Sequence, residues 1–163
     1  MKKQKGFSLI ELLIVVAIIL IIAAIAIPNL LRSKMAANES SAAGSVRSIV
    51  TAQVTFSSTY GVGYAPNLGA LGTPAVPCTA VVTAACLLDP VVTTGTKSGY
   101  NLGTSTTNAT AEFVATAVPV ALNQTGNRSF CADETLTVKF NPAVINVAAD
   151  DKACQAFPNQ LGQ

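Results

Sequence analysis

The chain has 163 residues, half of them hydrophobic and only 11% charged, with four cysteines and no histidine. Its length suits one domain plus an anchor. Without histidine there is no Cys-His zinc site, and without a basic patch interleaved with aromatics there is no nucleic-acid footprint, so no nucleic-acid partner is expected. The formal charge of +2 is an effect of the first residues: removing Lys2, Lys3 and Lys5 leaves seven basic against eight acidic side chains.

Three lysines precede an apolar run from Phe7 to Ile27 that holds a single charge, Glu11. As a helix these positions rise about 31 Å, one bilayer core. A carboxylate inside such a run costs about 2.5–3.5 kcal/mol on insertion scales, which makes Glu11 a candidate functional residue. The plainer alternative is an acid that snorkels to the cytoplasmic edge, one turn past Phe7. The segment admits three readings. A secretory signal could end at Ala24-Ile25-Ala26, but the run is long for one. A plain anchor explains the length and not the acid. An anchor in which the acid has a task explains both. Under each reading the lysines stay cytoplasmic and the remainder crosses outward.

Pro28 lacks an amide hydrogen and its ring opposes the carbonyl of Ala24, so a kink or local loosening is expected there. Arg32 and Lys34 mark the outer boundary. Val46, Ile49, Val50 and Val54 then recur at three and four residues, an apolar stripe with Arg47 and the serines facing elsewhere. One helix over 7–60 follows, about 80 Å at the standard rise, with Gly44 its weak point. Gly61-Val62-Gly63 ends it. From there to Lys97 the chain reads as loop, punctuated by Pro66, Pro74, Pro77 and Pro90.

Strands are expected near Tyr100 and Leu102, over Ala111–Val120, over Arg128–Ala132 and over Thr135–Asn141. In the last of these, Leu136, Val138 and Phe140 would point one way and Thr135, Thr137 and Lys139 the other, with Asp133-Glu134 as the turn before them. The fold class is therefore α+β: a long N-terminal helix packed on a four-stranded antiparallel meander. Residues 61–163 form the head.

The stretch Lys5-Gly6-Phe7-Ser8-Leu9-Ile10-Glu11-Leu12-Leu13-Ile14-Val15, with its apolar run ending in Ile27-Pro28, resembles the N-terminus of type IV prepilins and type II secretion pseudopilins. The close match covers about the first third of the chain; beyond it the likeness is one of architecture. The resemblance implies that residues 1–6 are a leader, cut by a prepilin peptidase between Gly6 and Phe7, with methylation of the new Phe7 amine. Gly6 suits the cut, because a residue without a side chain lets the backbone enter a tight protease site. It further implies that Glu11 pairs with the Phe7 amine of a neighbouring subunit and sets axial register, that Pro28 shapes the assembling helix, and that a homopolymer forms through the N-terminal helices. An inner-membrane platform protein and an assembly ATPase would be partners, and lipid would cover the helix before assembly. The precursor would sit in the inner membrane with its head periplasmic, then enter an extracellular pilus serving adhesion, twitching motility or DNA uptake. The major pseudopilin of a type II secretion system, in a periplasmic pseudopilus, is the alternative. A membrane-anchored binding module that never polymerises is the third reading.

The cysteines Cys78, Cys86, Cys131 and Cys154 fit no CxxC spacing, and two disulfides in an oxidising compartment are the economical reading. Of three connectivities, Cys78–Cys86 with Cys131–Cys154 is preferred, since the second ties the loose tail to the sheet. No catalytic constellation stands out and no cofactor is expected. Calcium is the one candidate ligand: the resemblance to major pseudopilins points to the C-terminal tail, where Asn146, Asp150 and Asp151 offer oxygens. Against it stands the absence of an EF-hand spacing, two adjacent acids being more often a solvated turn.

Overall fold

The structure is a computed structural model and describes residues 7–73, 77–108, 110–142 and 151–161. Its longest element is helix α1 (Leu9–Tyr60), 52 residues. The Ser8 carbonyl accepts from the Leu12 amide at 3.2 Å, opening the helix two residues after Phe7. The helix continues through Pro28, whose missing N–H leaves the Ala24 carbonyl without its usual donor. Gly61, at φ +65°, stops it in the left-handed conformation that a glycine adopts without steric penalty. Its amide still reaches the Ser57 carbonyl at 3.0 Å.

By internal contacts the chain forms two units, Met1–Lys34 and Met35–Gln163. In the first, every large apolar side chain from Phe7 to Leu31 is exposed. The most apolar window of α1 has a mean hydropathy of 3.3, long and apolar enough to cross a membrane. A helix that is apolar all round needs a lipid or protein cover on every side.

In the second unit Ala42, Val46, Ile49, Gln53 and Phe56 form one buried stripe of α1, spaced by three or four residues. Burying a side chain such as Ile49 or Phe56 is worth about 1.5–3 kcal/mol. Two expectations are corrected here. Val54 falls off the stripe and is 40% exposed, while Ser45 is buried, its hydroxyl donating to the Ser41 carbonyl.

The segment after α1 is more structured than a surface loop. Asn67 caps a single turn, α2 (Leu68–Leu71), by accepting from the Ala70 amide. Asp89 caps another, α3 (Pro90–Thr93), whose first position is the proline. Between them the amides of Ala85, Cys86, Leu87 and Leu88 bond to carbonyls of Ala70, Gly72 and Leu71. Leu68, Leu71, Leu88 and Val92 are thereby buried in the main core.

The sheet has six antiparallel strands in sequential order rather than four. They are β1 (Thr96–Lys97), β2 (Tyr100–Asn108), β3 (Glu112–Pro119), β4 (Arg128–Ala132), β5 (Val138–Pro142) and β6 (Asn159–Gln160). The four expected strands are β2 to β5. The additions are two-residue edges, too short to show an alternation in sequence. Leu136 is not in the last strand. It sits in the β4–β5 turn at φ +61°, and Lys139, expected to face outward, is buried.

β3 is buried on both faces. Phe113, Ala115 and Ala117 join α1, α2 and α3 in the main core. Val114, from the opposite face, packs with Cys131, Cys154, Ala153 and Phe157. That second cluster is built by the short helix α4 (Asp151–Gln155), which brings Cys154 to β4.

Candidate functional site

Phe7 and Glu11 are both exposed, at the start of α1, and Phe7 is 75% accessible. Glu11 lies in the first turn, where a negative charge meets the positive end of the helix dipole. It makes no ion pair among the described residues. Gly6 lies outside the described residues. The first unit thus offers a cylinder of exposed isoleucine, leucine and valine with one acid near its tip. Lipid can cover the apolar surface but cannot neutralise the acid. A like helix carrying a cation at its N-terminus could do both.

A second glutamate on α1 shows what satisfaction looks like. Glu39 is buried and accepts from the Asn127 amide at 2.7 Å, from Arg128 Nε at 2.7 Å and from Arg128 Nη2 at 2.6 Å. The guanidinium also lies 5.1 Å from the Phe140 ring centroid and 5.9 Å from that of Phe130. The Arg128 carbonyl receives the Tyr100 hydroxyl at 2.9 Å. Burial, then the nearby Glu39 charge, pushes the Tyr100 phenol well above its usual range. Gly126 is obligatory beside it, since a Cβ there would overlap the phenol oxygen. The neighbouring Asn38 donates to the Thr125 carbonyl at 2.9 Å. The β3–β4 connection is therefore held on α1 by adjacent polar side chains.

Gln53 does the same further along. It is fully buried, its amide nitrogen donating to the Ala65 carbonyl and to Thr104 Oγ1, both at 2.9 Å, while its oxygen accepts from the Ala65 amide at 2.8 Å. One side chain fixes the chain's exit from α1 to strand β2. A third buried polar centre lies in the β4–β5 turn, where fully buried Asp133 pairs with Lys139 at 3.2 Å. Asp133 also accepts from the Thr135 amide at 3.0 Å and from the Thr135 hydroxyl.

Sequence reasoning missed all three centres. For two of them a signal existed, because Glu39 and Gln53 fall on the period of the apolar stripe, where a polar residue implies a partner. Except for Ala65, 12 residues on, their partners lie 51 to 89 residues away and follow only from the fold.

The structure pairs Cys78 with Cys86 and Cys131 with Cys154. The second bridge closes a separation of 23 residues, worth about 3 kcal/mol by loop entropy. Of the calcium candidates, Asn146 and Asp150 lie outside the described residues, and only the backbone of Asp151, at the start of α4, is described.

Residues 1–27 match the family model of the prokaryotic N-terminal methylation motif. The chain is similar to the type IV major pilin protein of Myxococcus xanthus, 41% identical over 75 residues, which is 41% of this chain and 34% of that protein. It is also similar to the type IV wide pilus major component of Thermus thermophilus, 62% identical over 39 residues, covering 24% of this chain and 30% of that protein. The chain thus matches about a third of the length of these curated relatives. No solved structure matches.

Proposed function

We propose, from the likeness of its N-terminal segment to type IV pilins, that this chain is a structural subunit of a type IV pilus, processed at Gly6/Phe7 and polymerised from the inner membrane. The observation that supports this best is an all-round exposed apolar helix with one acid near its start that has no ion pair among the described residues. In the membrane, lipid covers Leu9 to Leu31 and Glu11 bears the cost of an acid in an apolar medium, about 2.5–3.5 kcal/mol. Cleavage before Phe7 creates an amine four residues from Glu11. When helices bundle, the amine of one subunit and the acid of its neighbour neutralise each other, and apolar surface is covered by like surface. Cohesion comes from the helices and register from the charge pair.

The peptidase that removes residues 1–6, a membrane platform protein and an ATPase are the partners this route requires. A pilus is preferred to a secretion pseudopilus because both relatives carry pilus names. Mass spectrometry of the protein from its own cells tests the reading. The expected mature chain begins at N-methylated Phe7; a chain that keeps Lys2 to Gly6 in the assembled or membrane fraction sinks it, in favour of a non-polymerising anchored module.

A further inference from the structure

Outside the helix tip, the feature least explained by the fold of a single chain is Leu136. It is a leucine at φ +61°, a conformation that glycine or asparagine adopts far more readily, and its side chain is 56% exposed. Nothing slack permits this. Its amide bonds to the Asp133 carbonyl at 3.0 Å, and Asp133 is itself locked by Lys139 and Thr135. A rigid, buried ion pair therefore holds an apolar side chain out toward water.

It is held over a depression of about 370 Å³ on the outer face of α1, lined by Arg47, Val50, Thr51, Val54, Thr55 and Leu136. The two threonine hydroxyls donate back to the helix, to the carbonyls of Arg47 at 3.0 Å and Thr51 at 2.8 Å. Both hydroxyl donors are thus satisfied within the helix, and Arg47 is the charge of the depression.

The same unit carries a second apolar feature out of place. Between Cys78 and Cys86 the chain makes a tight hairpin, Val81 and Ala84 exchanging both backbone hydrogen bonds at 3.1 and 2.9 Å. Such turns favour glycine, asparagine and aspartate, yet this one exposes Val81 at 45% and Val82 at 44%. Three residues past Cys86 stands Asp89, also exposed.

We propose that the depression bounded by Val50, Val54 and Leu136 receives the Val81–Val82 hairpin tip of a second copy of this chain. The inference rests on the filament-subunit reading. It pairs an apolar recess that carries Arg47 with an apolar tip on a segment that carries the acid Asp89 seven residues on, so apolar character and charge are both complementary. Recess and tip share no residue, so one chain can offer both at once, and on the filament-subunit reading the contact repeats head-to-tail along an open assembly. Leu136 and the hairpin valines are locally unfavourable in one chain and become buried between two.

The test uses the full chain in fibre-producing cells. In a double variant Leu136→Cys and Val82→Cys, sheared fibres should run as a covalent ladder on a non-reducing gel, and neither single variant should. Because extra thiols can disturb the native bridges, Leu136→Gly supplies an independent reading. It relieves the positive φ, so the unfolding midpoint should stay level or rise while fibre yield falls about tenfold or more. Normal fibres without a ladder, or Leu136→Gly fibres at wild-type yield, overturn the docking and leave the subunit reading standing. A disulfide that joins the Leu136→Cys variant to a different protein overturns the choice of partner. Failure of the unaltered chain to appear in any fibre overturns both.

Discussion

Glu11 and Glu39 belong to one helix, 28 residues apart in sequence, and could hardly differ more in surroundings. Around Glu39 the chain has supplied an arginine, a backbone amide and two aromatic rings. Around Glu11 there are exposed aliphatic side chains and no ion pair among the described residues. Apart from Leu136 and the hairpin valines, the described part of the Met35–Gln163 unit is self-sufficient: the buried acids Glu39 and Asp133, the buried Gln53 and the apolar stripe find partners within the chain. The Met1–Lys34 unit is not, since its apolar residues and its acid find no cover among the described residues of one molecule. On the proposed function, such a helix completes its contacts first in lipid and then in an assembly.

The comparison can be broken from either side, and the largest effect should come from the head. Replacing Asp133 by alanine strands Lys139 in a site where its side chain is only 10% exposed. Urea unfolding of the full chain in detergent should show a loss of about 3–5 kcal/mol. A loss under about 1 kcal/mol would mean that the lysine escapes to water and that the turn is not held by this pair.

Glu39→Ala should cost less, about 2 kcal/mol, because Arg128 is already 39% exposed and rehydrates. The matching change in the other region, Glu11→Ala, should leave unfolding within about 0.5 kcal/mol of the parent while abolishing fibres. The pair of variants is the sharpest check, reading stability and assembly on the same preparations. Equal loss of stability from both, or abundant fibres from Glu11→Ala, would erase the distinction.

The smallest effect concerns Tyr100. Its phenol is raised in the folded head by burial and by Glu39, while the unfolded chain keeps the ordinary value of 10.0. The folded state therefore holds its proton where the unfolded state releases it. This contribution is fully present below about pH 10 and is lost as pH rises beyond. Tyr100→Phe removes the hydrogen bond to Arg128, about 1 kcal/mol at neutral pH, and should flatten the alkaline fall in stability. An unchanged fall above about pH 10 would assign that limb to other groups.

Much of this was legible beforehand where a physical signal is local and periodic. The span of α1, the β2 to β5 meander and the Glu11 anomaly each rest on a repeat or on its interruption. Leu136 shows the limit: it continues the alternation of Val138 and Phe140, yet the turn captures it, because Asp133 prefers a buried lysine and a hydroxyl to the solvated bend its sequence suggests. Strands β1 and β6 were invisible because two residues carry no period. The core residues of 61–97 hid among prolines and threonines because single-turn helices leave no repeat to read.

By itself the sequence determined that an apolar helix precedes a small β head, that the acid at position 11 is out of place in lipid, and that two disulfides are available. These depend on composition and spacing along the chain. Only the tertiary structure decided that Glu39 meets Arg128, that Gln53 spans the helix exit to β2, and that Leu136 overhangs α1 beside Val54. Those pairings join residues up to 89 positions apart, and a contact of that separation is set by how whole elements pack.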